Sequence, residues 1–224
     1  MMHIFIDTEM NPVSREFCKI RKVCKNEIIQ IGAVMLDENS RIAEKLRVFV
    51  KPQWCSEIIP RITDLTGITS AMVANAEKFE TVIEKFSAWC SKYGSDYIVH
   101  AWSEHDLSQV KKELKVKNIE ITDNISNLLN NWSDFQTEFC QLIKSTKLLS
   151  LEKALTLTGH SFKGKIHDAL WDAQNTSELF VLSQDKTNLT ETISLIEDTV
   201  NNNKDMTFKL GDIFDFSSFE FSAA

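Results

Sequence analysis

The sequence predicts an α/β fold, a central five-stranded mixed sheet flanked by helices. Three observations lead there. The chain opens with three strand-like runs in succession, helical and strand-like periods then alternate, and 224 residues suit one sizeable core.

The strand-like runs lie at 3–7, 27–36 and 42–50, the last two joined by the polar turn Asp37-Glu38-Asn39-Ser40. They alternate or are rich in β-branched residues, as strands in an opening meander do. After Pro52 and Pro60 the stretch Ile62 to Thr69 is expected to be loop. A helix over about 78–92 is predicted because Phe79, Val82, Ile83, Phe86, Trp89 and Cys90 fall on one face at helical spacing. Residues 97–102 predict a buried strand, 104–114 a helix, and 131–135 a weaker strand. Three more helices are expected at about 135–144, 150–158 and 167–183, the middle one capped by Ser150 and stopped by Gly159. There is no internal repeat. A further amphipathic helix over 189–200 and an acidic, aromatic stretch over 208–221 are expected beyond the last of these.

Composition bounds the function. With 43% hydrophobic and 25% charged residues the chain is an ordinary globular sequence. No apolar run is long enough to span a bilayer, and no signal peptide precedes the first strand, so a cytoplasmic protein with no membrane partner is expected. The five cysteines are scattered, with no Cys-x-x-Cys pair, which suits free thiols in a reducing compartment. The net charge is −7, but residues 185–224 hold eight acidic and three basic residues. The body is therefore only weakly acidic, and a nucleic-acid substrate stays open because metal ions can hold a reacting phosphate.

Chemistry begins with Asp7 and Glu9 at the end of His3-Ile4-Phe5-Ile6. Side-chain direction repeats every two residues in a strand, so both carboxylates share one face. At the end of a buried strand they need a compensating charge, and a divalent cation supplies one. Alone the pair is ordinary, since a chain with 32 acidic residues holds about one such pair by chance. Asp106 follows in the first turn of a helix, where a favourable dipole interaction is the plain alternative and Glu104 competes for any role. His167-Asp168-Ala169-Leu170-Trp171-Asp172 is the sharpest signal. His167 and Asp172 lie about one and a half helical turns apart and can flank one site. Histidine is the side chain suited to accepting a proton near neutral pH.

The ordered set Asp7-x-Glu9, Asp106, His167-x4-Asp172 resembles the DEDDh family of 3′-to-5′ exonucleases. The resemblance covers about residues 3–183 and extends to Glu27 through Val34, similar to the family's second strand, and Ile62 to Thr69, similar to its loop beneath the active site. It implies a ribonuclease H-like exonuclease fold, with 1–184 as exonuclease domain and 185–224 as a C-terminal extension. It implies two magnesium ions, with manganese as substitute: Asp7 bridging both, Glu9 and Asp172 completing one site, Asp106 reaching the other through water, and His167 as base. Products would be nucleoside 5′-monophosphates cut from single-stranded 3′ ends, RNA favoured over DNA. Phe162 to Ala169 is similar to the branch that trims structured RNA ends. Trp171 departs from the family, and Asp168, about 100° around the helix from His167, is not expected to be a ligand.

The resemblance also implies that the backbone between Asp7 and Glu9, with Thr8 and Met10, grips the 3′ nucleotide, with packing as the alternative for Met10. Lys163 and Lys165 are candidate phosphate contacts. The segment 11–26 carries Arg15, Lys19, Arg21, Lys22 and Lys25 against Glu16, which suits either a solvated loop or a phosphate-contacting flap. Gly159 to Lys165 matches P-loop spacing as far as the lysine, but Ile166 stands where Ser or Thr must bind magnesium, and a helix precedes it instead of a strand. Two other classes compete with the exonuclease: a nucleic-acid- or protein-binding module on the same fold, and a proofreading-type subunit docking a protein partner through the acidic tail.

Overall fold

The computed structural model describes residues 1–55, 57–145 and 147–185. The expected helix over 189–200 and the acidic aromatic stretch lie outside the described residues. In chain order the elements are β1 (Met2–Pro12), α1 (Cys18–Arg21), β2 (Asn26–Leu36), β3 (Ile42–Lys51), α2 (Pro60–Thr66), α3 (Ser70–Ala74), β4 (Glu77–Lys78), α4 (Phe79–Cys90), β5 (Tyr97–Ala101), α5 (Glu104–Val116), α6 (Asp123–Asn130), β6 (Trp132–Asp134), α7 (Phe135–Leu142), α8 (Leu151–Leu157) and α9 (Ala169–Gln184). Two units divide them, Met1–Asp134 with Lys163–Ser177, and Phe135–Phe162 with the chain from Glu178.

In the first unit the strands run β4-β3-β2-β1-β5-β6. β1 and β3 pair antiparallel with β2, whereas β5 lies parallel to β1 and β6 parallel to β5. The mixed sheet is therefore as the sequence predicts, with one strand more than the expected five. That extra strand is the two-residue β4, which pairs only Val50 with Glu77 and Lys51 with Lys78, too little to leave a period in the sequence.

The core follows the alternation of β1. Ile4 and Ile6 join Ile31, Ala33 and Met35 of β2 in one buried cluster with Phe79, Val82, Ile83 and Phe86 of α4, Val110 and Leu114 of α5, and Ile125 and Leu128 of α6. Each such side chain contributes roughly 1.5–3 kcal/mol when removed from water, which commits these residues to one face of the sheet. Phe5, Asp7 and Glu9 therefore take the opposite face.

Between Glu9 and Met10 the pairing slips. Glu9 faces Gln30 but Met10 faces Ile28, leaving Ile29 as an extra residue. This β-bulge lets Ile28 join the main cluster while Ile29 packs with Ile58, Ile68 and Val73 in a second one.

Residues 62–69 are not a loop as expected. Pro60 opens α2 at its first turn and Gly67, at φ 78°, closes it, the proline-in, glycine-out asymmetry of a short helix. The sequence carried that signal, and two nearby prolines obscured it. α6 was likewise missed, although Thr122 caps it by accepting the Ile125 N–H. In the second unit, Ser150 caps α8 by accepting the Lys153 N–H and Gly159 follows it at φ 73°, both as expected. No helix among the described residues is long and apolar enough to cross a membrane.

Candidate active site

The acidic site forms where β1 outruns its parallel neighbour. The last register pair of β5 with β1 is Ala101 with Ile6, so Asp7, Thr8 and Glu9 continue past the end of β5. Ligand sites in α/β sheets form in such crevices beyond the carboxyl ends of parallel strands. The chain leaves β5 through Ser103, which accepts the His105 N–H as N-cap of α5, and the first helical turn then brings Asp106 inward. Asp106 is buried and Glu104 exposed. Thr8 donates its hydroxyl to Asp106 Oδ1 at 2.6 Å, which gives Thr8 a positioning role that its sequence neighbours did not suggest.

α5 is pinned from below. Glu113 accepts the Ile28 N–H, Gln109 donates to the Asn26 carbonyl at 2.7 Å, and Lys117 bridges Glu27 at 3.1 Å and Glu113 at 2.6 Å. Removing one partner from such a buried set leaves a charge uncompensated, which holds the arrangement together.

The other wall is α9. Asp7 lies opposite Gly32 in the register, and a β-carbon at Gly32 would overlap the peptide joining Ala169 to Leu170. Only glycine lets the start of α9 approach the sheet this closely. Gln30, opposite Glu9, accepts the Ala169 N–H at 3.0 Å, satisfying one of the orphan donors at the helix start. Asp168 accepts the Leu170 N–H and forms an ion pair with Arg47 at 2.7 Å. Asp168 thus caps and tethers the helix. The seating brings Asp172 to the β1 carboxylates, and oxygens of Asp7, Glu9 and Asp172 lie within 4.8 Å of one another.

Those charges oppose each other. Burial, then the charges of Asp106, Asp172 and Glu9, raise the Asp7 carboxyl well above its ordinary range. Burial and Asp172 push Glu9 up to about 8. Burial raises Asp172 and Asp106 as well, against the hydrogen bonds that favour their ionised forms. Asp172 Oδ2 is buried and has no hydrogen-bond partner among the described residues. An all-oxygen donor set, mutually repelling, with one buried oxygen lacking a partner, fits hard divalent cations such as magnesium. Lys165 supplies one offsetting positive charge to Glu9, and its ammonium group lies where a β-carbon on Gly67 would fall.

His167 is exposed, at φ 62° two residues before α9, and its backbone N–H favours the ionised form of Asp172. The loop behind it is clamped by Asn175, which is fully buried. Its amide accepts the Lys163 N–H at 2.9 Å and donates to the Lys163 carbonyl at 2.9 Å and the Trp171 carbonyl at 2.7 Å. Gly164 packs so tightly on the Trp171 ring that a β-carbon would overlap it. Trp171, the departure from the family pattern, is thus a floor for this loop. Met10 is half-buried against the main core, in line with packing. The other histidines stand apart: His3 and His100 bond each other at 3.0 Å, and burial lowers His100 to about 4.

Sequence reasoning missed Gly32, Gln30, Arg47 and Asn175. None carries chemistry itself. A single glycine inside a β-branched strand was the one available signal, since it marks close approach of another backbone.

The fold and the acidic cluster define a nuclease of the ribonuclease H-like class. The RNase_T exonuclease family model matches residues 4–180, and the chain belongs to that family. It is 30% identical over 163 residues to the PolC-type DNA polymerase III of Caldanaerobacter subterraneus, covering 72% of this chain and 10% of that protein. It is 29% identical over 173 residues to ERI1 exoribonuclease 2 of Danio rerio, covering 68% and 30%. The chain therefore spans less than a third of either relative. Among solved structures, the nuclease domain of 3′hExo, a DEDDh family member bound to rAMP, superposes with a TM-score of 0.71 at 21% identity, covering 83% of this chain and 92% of that one.

Proposed function

We propose that the chain hydrolyses phosphodiester bonds from the 3′ end of single-stranded nucleic acid, RNA in preference to DNA, releasing nucleoside 5′-monophosphates in a cytoplasmic setting. The convergence of Asp7, Glu9 and Asp172 within 4.8 Å, five residues beyond His167, is the observation that carries this reading. Family membership and the exoribonuclease relative support the reaction and the RNA preference.

Asp7, Glu9 and Asp172 would hold magnesium, with Asp106 assisting from α5. When bound, two such ions neutralise the scissile phosphate, acidify the attacking water and stabilise the leaving oxygen. His167 accepts the proton of that water at its imidazole, from an exposed position that lets it pass the proton to solvent. Thr8 orients the Asp106 carboxylate, and Asp168, held by Arg47, keeps the helix start in place. Lys165 neutralises phosphate charge beside Glu9, and Lys163, with the backbone at Thr8 and Met10, completes the grip on the terminal nucleotide.

The test incubates 5′-labelled RNA and DNA strands with the protein in magnesium, then in chelator. Stepwise shortening from the 3′ end is expected only with the metal. Asp7→Asn should lower the rate about 10³-fold or more, and His167→Ala about 10²- to 10⁴-fold. Undiminished cleavage by either variant would overturn the assignment. The PolC-type relative favours a second reading, a proofreading subunit, which predicts preference for mispaired 3′ ends on a template strand.

A further inference from the structure

The charged surface outside the acidic site is uneven. Several lysines elsewhere are engaged: Lys85 pairs with Glu77, Lys92 with Glu44, and Lys117 with two buried glutamates. Of the lysines that form no ion pair among the described residues, four gather in one place along the outer face of α5. Lys111, Lys112 and Lys115 of α5 and Lys22 after α1 line one open groove of about 650 Å³. In a chain of net charge −7, four unpaired cations around one groove mark a surface selected for an anionic partner. Its floor is partly apolar, with Leu107 and Val23 between the lysines.

The groove has a direction. Glu104 lies at one end, two residues before Asp106, and Lys115 lies near the other end of α5. At 1.5 Å per residue the face between them is roughly 16 Å long, room for four or five stacked nucleotides at about 3.4 Å each. Asp106, Gln109, Val110, Glu113 and Leu114 occupy the buried face, so the lysines cannot serve the core.

We infer that this groove is a track for the single strand 5′ of the bond being cut, its lysines holding successive phosphates while the apolar floor supports the bases. The inference rests on the exonuclease reading for its direction, since the track starts beside Asp106. It explains how an acidic protein can hold a polyanion: affinity is concentrated in one groove. Glu104, the single carboxylate lining it, marks the boundary between the phosphate track and the acidic site.

The test compares the full chain with the triple variant Lys111→Gln, Lys112→Gln, Lys115→Gln on a dodecanucleotide and on a trinucleotide, whose two nucleotides 5′ of the cut span roughly 7 Å and end short of Lys111, roughly 10 Å along α5 from Glu104. The variant should raise KM for the dodecanucleotide about tenfold or more, leave kcat and the trinucleotide unchanged, and lower the log–log salt slope of binding by about 2. Arginine at the same three positions should restore the dodecanucleotide KM. Binding of the labelled dodecanucleotide, followed by anisotropy in chelator, keeps the question separate from catalysis. Equal affinity and salt slope in the two proteins would overturn the track, whereas absence of cleavage with the affinity difference intact would overturn only the exonuclease reading.

Discussion

The two walls of the site are built to different standards. Asp7 and Glu9 sit on an inner strand of a six-stranded sheet, paired with β2, directly beyond the stretch of β1 that is paired on both sides and backed by the core. His167 stands on an exposed loop in a left-handed backbone conformation, held by a few contacts behind it. The difference matches the tasks proposed for them: ligands for a cation must be preorganised against their own repulsion, while a base must meet both water and solvent. Gly32 and Asn175 join the walls, and each can be altered without touching a reacting group.

Gly32→Ala should have the larger effect, because the added methyl group meets backbone atoms of Ala169 and Leu170 and the start of α9 must move. Overpacking of this kind costs about 1–3 kcal/mol, and a displacement of about 1 Å lowers the rate about 100-fold. Both magnesium affinity, measured calorimetrically, and kcat should fall. An unchanged kcat would show that the helix seat is not what aligns Asp172.

Asn175→Ala tests the loop wall by itself. It leaves the Lys163 peptide without its partners, at about 1–3 kcal/mol for buried groups, while Asp7 and Glu9 keep their strand. kcat should fall about tenfold with metal affinity unchanged; an equal fall in both would mean that the walls are not independent.

The smallest effect is on stability. The clustered carboxyls have folded-state affinities for protons raised above those of the unfolded chain, Glu9 to about 8. Their contribution is therefore complete below the unfolded values near 4 and is lost as pH rises toward 8. In chelator the melting temperature should fall across that window, and magnesium should flatten the decline. A metal-free protein that melts higher at pH 8 than at pH 5 would contradict the sign.

Much of this was legible in the sequence because periodicity and residue type report it directly. The alternation of 3–7 put Asp7 and Glu9 together, and the spacing from His167 to Asp172 put an imidazole and a carboxylate at one helix mouth. What escaped was whatever depends on a partner distant in the chain. Gly32 serves a helix that begins 137 residues later, and Thr8 serves Asp106 across 98 positions. α2 escaped for another reason: a helix of seven residues is shorter than the period needed to recognise it.

Ile29, the unpaired residue of β2, has a consequence in the parity of the sheet. Every residue of a strand owes its face to an even or odd count from a fixed neighbour, and the extra residue resets that count between Gln30 and Ile28. Drawing Ile29 into the ladder opposite Met10, in place of Ile28, would restore regular pairing but exchange the faces of residues 26–28. Ile28 would leave the main core, and the Ile28 and Asn26 peptides that hold Glu113 and Gln109 would turn from α5. The helix carrying Asp106 would lose its mooring although every acidic residue of the site remained, so in this chain the spacing of β2 is as much a part of the active site as the carboxylates.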